Sequence, residues 1–241
     1  MSTNLLSLEG VQTHIGAYHI LHGVDLAVPK GQLTMLLGRN GAGKTTTLRT
    51  IMGLWHASQG RVRFGDKDIA AMQTPQIAEL GIAYVPENMG IFSDLTVKEN
   101  MLLAARGAKN AAQIDDTRLK WIFKLFPAVE KFWNHPAGKL SGGQKQMLAV
   151  SRAIVEPREL LLIDEPSKGL APVMINNMID AFAELKRSGV TILLVEQNIN
   201  FAQRLGDNVA VMDNGRVVHS GSMAAFSADA QLQQSLLGLA L

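Results

Sequence analysis

The feature that most constrains this chain of 241 residues is the glycine-rich segment 38–45, which reads Gly-Arg-Asn-Gly-Ala-Gly-Lys-Thr. It fits the pattern G-x-x-x-x-G-K-[ST], in which glycines let backbone N–H groups converge on a phosphate. An apolar run at residues 32–37 predicts a buried strand before it, and Leu48, Ile51 and Met52 follow with helical spacing. A strand, a loop and a helix start in this order predict a phosphate site rather than an ordinary glycine turn.

Each residue of this loop has an expected task. The side chain of Lys44 is expected to reach the β- and γ-phosphates of a nucleotide, and the Thr45 hydroxyl is expected to ligate Mg²⁺. The residues expected around the phosphates are Gly38, Arg39, Asn40, Gly41, Ala42, Gly43, Lys44, Thr45 and Thr46. The loop alone does not decide which class of nucleoside triphosphatase this is.

Composition narrows the class of protein. Hydrophobic residues make up 47% and charged residues 18% of the chain, which predicts a folded core. The net charge is +2 without a lysine-arginine block, which argues against nucleic acid as the main partner, and the absence of cysteine excludes disulfides. Residues 1–9 lack a signal-peptide pattern, and no apolar run nears the roughly 20 residues that span a bilayer. We expect a cytosolic chain that can still associate with a membrane partner.

The pattern along the chain alternates between strands and helices. Alternation and turn residues predict strands at 4–13, 20–28, 61–64 and 81–86, and a hairpin around Asn-Gly within 209–218. From about residue 88 the pattern becomes helical. Thr96 and Glu99 form a predicted capping box, and apolar residues at 119, 122, 123 and 126 mark a helix. A helical block at about 88–150 thus interrupts the α/β pattern, and the tail at 223–241 is also predicted to be helical.

A second buried strand, residues 160–163, ends on two carboxylates, Asp164 and Glu165. Buried carboxylates are costly unless a charged group lies beside them, and the phosphate loop makes Mg²⁺ the expected partner. Asp164 would hold the metal directly or through water, and Glu165 would orient or deprotonate the attacking water. The alternative interpretation is a pair of residues that caps a helix.

Residues 140–146, Leu-Ser-Gly-Gly-Gln-Lys-Gln, precede a helical face formed by Met147, Val150 and Ile154. Ser141 therefore lies at a second helix N-terminus, which is another potential anion site. One chain needs only one such site for its own nucleotide. We therefore expect the second to serve a nucleotide held by another chain.

The phosphate loop, the Leu-Ser-Gly-Gly-Gln segment and the Leu-Leu-Leu-Ile-Asp-Glu-Pro strand together resemble the ATP-binding cassette (ABC) ATPases in order and spacing. The resemblance implies an α/β fold: a P-loop NTPase core with an N-terminal antiparallel β subdomain and a helical insert. It implies a single domain over 1–241, with the core and β subdomain at 1–87 and 151–241 and the helical subdomain at about 88–150.

The same resemblance implies ATP and Mg²⁺ as cofactors and a head-to-tail dimer. Each ATP would lie between the phosphate loop of one chain and the signature of the other, here Ser141, Gly142, Gly143 and Gln144. Stacking on adenine by an aromatic side chain is also implied. Ile15 falls near the expected position and Tyr18 lies close by, and Tyr18 is the residue we assign.

Three residues differ from the general pattern of the ABC ATPases, and these differences indicate one branch of the family. Glu87 replaces a glutamine that senses Mg²⁺, and we include it among the metal-binding residues. Ala171 replaces an aspartate, and Gln197 replaces a histidine that contacts the γ-phosphate. Together these segments resemble the second ATP-binding subunit of branched-chain amino acid importers and their urea or amide relatives. Lys168 is unusual even there, because a leucine-like residue is expected.

The function implied is an ATPase that powers a membrane ABC importer, with branched-chain amino acids as the first expectation. The catalytic residues would be Lys44, Glu165 and Gln197. The alternatives are a transporter of urea, amides or other small solutes and, less favoured, a soluble ABC ATPase that acts on nucleic acid or ribosomes. Intact Lys44 and Glu165 argue against a non-hydrolysing structural module.

The partners implied are integral-membrane permease subunits, a second and different ABC ATPase subunit and, indirectly, a solute-binding protein, without nucleic acid. We expect the chain at the cytoplasmic face of the inner (plasma) membrane. Residues 88–92, with Met89, Ile91 and Phe92, are predicted to contribute to the permease contact, since exposed apolar patches often mark partner surfaces. Packing within the helical subdomain is the alternative for Phe92.

Overall fold

The computed structural model describes residues 3–105 and 114–238. The strands in these ranges are, in chain order, β1 (Asn4–Ile15), β2 (Tyr18–Pro29), β3 (Leu33–Gly38), β4 (Ala57–Phe64), β5 (Lys67–Asp68), β6 (Ile82–Val85), β7 (Leu160–Asp164), β8 (Thr191–Val195), β9 (Asn208–Asp213) and β10 (Arg216–Ser222). The helices are α1 (Lys44–Ile51), α2 (Thr74–Glu79), α3 (Val97–Ala104), α4 (Asp116–Leu125), α5 (Pro127–Lys131), α6 (Gly142–Ala153), α7 (Pro172–Arg187), α8 (Ile199–Leu205), α9 (Met223–Ala228) and α10 (Ala230–Leu237).

The strands form two sheets. The first is antiparallel with the order β2-β1-β4-β5, and the second has the order β10-β9-β3-β8-β7-β6. In the second sheet all neighbours are parallel except β10, which pairs antiparallel with β9 around the predicted Asn-Gly turn. Because parallel strands end at one edge, the carboxyl ends of β3, β7 and β8 bring their following loops together.

The second sheet lies between two apolar cores. In β7, Leu161 and Ile163 contribute to the core shared with the helical insert, whereas Leu160 and Leu162 contribute to the core shared with the antiparallel sheet. A strand covered on both faces needs no polar alternation, which explains why β7 and β8 are continuous apolar runs. The loops at their ends are therefore positioned by fully buried strands.

The helical insert lies between β6 and β7. The Thr96 side chain accepts from the Glu99 N–H and begins α3, as the capping box predicts. The α4 stripe packs as predicted: Ile122 and Phe126 are buried, and Leu119 and Phe123 are partly buried against the same core. In the ranges described, no helix is both long enough and apolar enough to span a bilayer.

The predicted fold class is confirmed. The main differences are in length and in missed elements. The strands β1 and β2 are 12 residues long with register shifts, longer than the predicted 4–13 and 20–28, and the short helices α2 and α8 were not predicted. The 16-residue helix α7 was not predicted from the sequence. Residues 106–113 of the expected helical subdomain, and 1–2 and 239–241 at the ends, lie outside the described residues, and the domain boundaries stay predictions.

Candidate functional site

The glycine loop joins β3 to α1 in a conformation that requires glycine at two positions. Gly38 has φ +147, and a Cβ there would lie 2.3 Å from the Met212 carbonyl oxygen. Gly43 has φ +103 in the left-handed region, with the Leu21 side chain 2.9 Å from the position of a Cβ. Gly43 precedes α1 without a side-chain cap, so the first N–H groups of the helix lack a side-chain acceptor and can bind an anion.

Lys44 is the first residue of α1, and its side chain is only 5% exposed. Its ammonium group donates to the carbonyl oxygens of Gly38 and Arg39 at 2.8 and 3.0 Å. Burial lowers the pKa of Lys44, and the neighbouring carboxylates, with Glu165 first, oppose that shift. The predicted phosphate-binding cation therefore lies inside the loop, beside a cavity of about 370 Å³ that Gly38, Arg39, Asn40 and Gln197 line in part.

Asp164 ends β7 directly opposite the start of α1. The Thr45 hydroxyl donates to Asp164 Oδ1 at 3.2 Å, and the Tyr84 hydroxyl donates to Oδ2 at 3.3 Å. Burial raises the pKa of Asp164, and the charges of Glu165 and Glu87 add to that effect. Burial, followed by the charge of Asp164, raises the pKa of Tyr84 to about 12.

The Thr45 and Asp164 oxygens suit Mg²⁺, which prefers hard oxygen ligands and uses one or two carboxylates together with nucleotide phosphates. Within residues 3–105 and 114–238, no group of three or more histidine, cysteine or carboxylate side chains is arranged to hold a metal by itself. A metal that shares its coordination with a phosphate therefore fits these residues better than a metal held by protein side chains alone.

Glu165 follows Asp164 with φ 47, a left-handed conformation that is uncommon outside glycine. Its carboxylate is 8% exposed and lies 3.8 Å from the Lys44 ammonium group. The Gln197 side-chain amide donates to Glu165 Oε1. Gln197 thus contacts the carboxylate expected to handle water. A contact between Gln197 and the γ-phosphate stays a prediction.

Glu87, expected to contribute to metal binding, is partly exposed and pairs with Lys168 instead. The Lys168 ammonium group lies 2.5 Å from Glu87 Oε1 and 3.4 Å from Glu165 Oε2. The charge of Glu87 still acts on Asp164. A direct metal contact for Glu87 stays a prediction.

The structure adds Glu196 to the site. Its buried carboxylate accepts from the backbone N–H groups of Ser167 at 2.9 Å, Gln197 at 3.1 Å and Asn198 at 3.2 Å. Burial raises its pKa, whereas these hydrogen bonds oppose the shift. The sequence signal was the same as for Asp164: a carboxylate directly after a buried apolar strand.

The second predicted anion site, at the N-terminus of α6, is exposed and capped by a side chain. Ser141 caps α6 and exchanges hydrogen bonds with Gln144 in a capping box, and both Ser141 and Gly142 are exposed. In the part of the chain described, no hydrogen bond or ion pair joins residues 141–144 to the phosphate loop. The two helix starts of one chain therefore do not form one site.

Tyr18 lies at the tip of the β1–β2 hairpin, and its side chain is 75% exposed. Farther along β2, the backbone of His22 bonds to Gly215, which in turn bonds to Ala42 of the phosphate loop. The hairpin therefore adjoins the loop, and the assignment of Tyr18 to adenine stays a prediction.

Comparison with known proteins agrees with this geometry. The family model for the ABC transporter matches residues 21–168. The high-affinity branched-chain amino acid transport ATP-binding protein BraG of Pseudomonas aeruginosa is 38% identical over 234 residues, covering 97% of this chain and 100% of that protein. The probable branched-chain amino acid transport ATP-binding protein LivF of Archaeoglobus fulgidus is 36% identical, covering 85% and 86%.

Solved structures give the same result. A crystal structure of the ADP conformation of an ATP-binding cassette of an ABC transporter superposes with a TM-score of 0.83 at 26% identity, covering 99% of this chain and 100% of that chain. The loop geometry, the sequence match over more than half the chain and the shared fold lead to one conclusion. This chain belongs to the ABC transporter family and is one of its ATP-binding cassettes.

Proposed function

We propose that this chain is the ATP-hydrolysing subunit of an ABC importer, with branched-chain amino acids as its cargo class. The observation that carries the catalytic part is the convergence of Lys44, Asp164 and Glu165 at one edge of the parallel sheet. The cargo class rests on the relatives named for branched-chain amino acid transport, which match nearly the whole chain. A urea, amide or other small-solute importer is the alternative, since an ATPase subunit does not touch its cargo.

In the proposed ATP hydrolysis, each residue of the site has a role that follows from its position. Backbone N–H groups of residues 38–45 and the Lys44 ammonium group bind the phosphates, and their positive charge stabilises the charge that spreads over them during transfer. When bound, Mg²⁺ neutralises phosphate charge beside Thr45 and Asp164. Glu165 holds the attacking water and accepts its proton, and Gln197 orients the Glu165 carboxylate as a neutral donor that does not titrate near neutral pH.

Replacing Glu165 with glutamine tests the catalytic assignment. The variant keeps the shape of the side chain and removes its base, so ATP binding should persist while hydrolysis falls by roughly two orders of magnitude or more. ATP affinity and phosphate release are measured with the partner subunits present. Glu184→Gln is the matched control, since Glu184 is a half-buried carboxylate of α7 that pairs with Arg187. Hydrolysis at the wild-type rate in Glu165→Gln would contradict the assignment.

A groove beside the helical insert is the proposed permease contact. A cavity of about 810 Å³ there is lined in part by Leu54, Trp55, Met89, Leu103 and Arg152. Leu54 is 49% and Leu103 is 61% exposed, and the Trp55 indole nitrogen is shielded from solvent without a hydrogen-bond partner in the described residues. An exposed apolar rim suits a segment of another protein better than water.

The loop that borders this groove is held in place from within the chain. The buried Asn100 side chain bonds to both the N–H and the carbonyl of Phe92, and the Arg152 guanidinium lies 5.2 Å from the Phe92 ring. Phe92 itself is 50% exposed. This loop therefore exposes Phe92 on a fixed backbone, whereas Met89 and Ile91 are partly buried against the core. The exposed ring supports the predicted permease contact.

The proposed complex contains a second, different ATPase chain and acts at the cytoplasmic face of the plasma membrane beside a permease and a solute-binding protein. The departures at Glu87, Ala171 and Gln197 support this, because they resemble one of two cassette subunits. Co-expression with candidate subunits, followed by native mass spectrometry, counts the chains. Met89→Ser with Ile91→Ser should reduce permease recovery without changing the ATPase of the isolated chain. A transporter with two copies of this chain and full transport would refute the heterodimer.

A further inference from the structure

Lys168 contacts two carboxylates of the site from outside it. Its ammonium group lies 2.5 Å from Glu87 Oε1 and 3.4 Å from Glu165 Oε2, and its side chain is 58% exposed. The hydrogen bond to Glu87, followed by the charge of Glu165, raises the pKa of Lys168. We call these two contacts the Lys168 bridge.

The backbone around Lys168 fixes where its side chain can reach. The Lys168 N–H donates to the Glu165 carbonyl at 3.2 Å, which closes a turn directly after β7. The Ser167 N–H is held by Glu196, and Gly169 follows with φ +71. The Lys168 side chain therefore starts from an anchored turn and lies on the same side as Glu165.

The bridge occupies the carboxylate expected to handle water. Glu165 Oε1 accepts from Gln197, and Oε2 faces Lys168, so both oxygens already have a partner. The Lys168 ammonium group therefore competes with water for Glu165 Oε2. Glu87 is paired with the same ammonium group, and its charge still adds to the negative field at Asp164.

We propose that Lys168 is a positioning residue that joins Glu87 to Glu165 in the nucleotide-free chain and restrains hydrolysis until the bridge opens. This inference rests on the proposed ATPase function. An exposed ion pair is weak and is screened by salt, so the bridge can open when Mg²⁺ and nucleotide change the local charge. The lysine thus opposes Mg²⁺-dependent nucleotide binding and hydrolysis in the resting chain.

Lys168→Met tests the bridge, because methionine keeps an unbranched side chain and removes the charge. At low salt, the Mg²⁺ concentration that half-saturates binding of a fluorescent ATP analogue should fall about two- to fivefold, and basal hydrolysis should rise by a similar factor. Both differences from the wild type should shrink at high salt. Lys168→Arg keeps the charge and should behave as the wild type.

Lys30→Met is the matched control, since Lys30 forms an exposed 3.8 Å pair with Glu159 away from the site. An unchanged Mg²⁺ midpoint in Lys168→Met, or a loss of hydrolysis that arginine restores, would overturn the bridge. The second result would make Lys168 a residue that assists the reaction. A wild type that binds no nucleotide, or binds it only as well as Lys44→Ala does, would instead remove the proposed function and the bridge with it.

Discussion

The N-termini of α1 and α6 are the two predicted anion sites of the chain, and they differ in the groups that surround them. At α1 the capping position is a left-handed glycine without a side-chain cap, and the buried Lys44 and Asp164 side chains of the same chain close around it. At α6 a serine caps the helix through a reciprocal bond with Gln144, and Ser141 faces solvent.

The glycines at the two helix starts also differ in how closely other atoms of this chain approach them. Gly38 and Gly43 are required by this chain, because a Cβ would meet the Met212 carbonyl or the Leu21 side chain. At Gly142 nothing lies within 4 Å of an added Cβ, and its φ lies outside the left-handed region. At Gly143, by contrast, an added Cβ would lie 2.6 Å from the Met174 side chain. The fold of the single chain therefore explains Gly38, Gly43 and Gly143 and leaves the exposed side of α6, at Ser141 and Gly142, open to another molecule.

The largest expected effect is at α1. Lys44→Ala should lower ATP affinity and hydrolysis by roughly two orders of magnitude or more, because it removes the buried cation that meets the phosphates. The loss should appear in the isolated chain and in the complex alike. Calorimetry and phosphate release measure the two quantities, and Lys30→Met serves as the control. A variant that still binds ATP normally would remove the contrast between the two helix starts.

A smaller, conditional effect is expected at α6. Ser141→Arg places a bulky cation at an exposed helix start, so ATP binding by the isolated chain should stay within about twofold of the wild type. In the assembled transporter, hydrolysis should fall at least tenfold, because the signature no longer fits the nucleotide of the other chain. Gly142→Ala, whose added Cβ meets no atom of the described residues within 4 Å, measures how closely that partner approaches. Equal losses with and without the partner would contradict a shared site.

The smallest effect is a pH dependence confined to the α1 site. The pKa of Asp164 is raised by burial, so folding disfavours its ionised form and its contribution to stability decreases as the pH rises through that pKa. Asp164→Asn should therefore raise the melting temperature of the nucleotide-free chain by about 2–4 °C at neutral pH, as ~1 kcal/mol does in a chain of this size.

The same raised pKa affects metal binding in the opposite direction. As the pH falls, Asp164 takes up a proton earlier than an ordinary aspartate, and Mg²⁺-dependent nucleotide binding should weaken with it. Thermal shift with and without Mg²⁺ nucleotide, over a pH series, measures both effects. The segment 141–144 carries no titratable side chain, so Ser141→Arg should leave the pH profile unchanged. A lower melting temperature for Asp164→Asn would contradict the stabilisation expected from removing this buried charge.

The sequence predicted the strand, the loop and the helix start at α1 because the signals for them are local. The strand, the loop and the helix follow one another directly in the sequence. Gly38 and Gly43 are needed because both have positive φ values, which side-chain-bearing residues rarely adopt. The same holds for Thr96 and Ser141, whose capping boxes lie within four residues. The hydrogen bond between Thr45 and Asp164 agrees with the sequence because Asp164 ends a buried strand and Thr45 lies at the start of the helix after the glycine loop.

Contacts between separate loops were less accessible from the sequence. The pairing of Glu87 with Lys168 joins residues 81 positions apart, and no periodicity marks it. Tyr84 was assigned only to a strand, because pattern alone does not show that its hydroxyl reaches Asp164. Helix α7 was missed although it begins at Pro172, directly after the Gly-Leu-Ala segment. That segment was interpreted only for the replacement of an aspartate by Ala171 and not as the start of a helix.

Glu196 links the two loops that follow β7 and β8. One buried carboxylate holds the backbone of Ser167, in the loop after β7, together with the backbone of Gln197 and Asn198, after β8. Hydrogen bonds to a charged acceptor are among the stronger ones in proteins, so these two loops resist separation. Glu165, the proposed catalytic carboxylate, and Gln197, proposed to orient it, therefore lie on loops that are linked to each other, so a displacement of Gln197 should also displace the turn that bears Lys168.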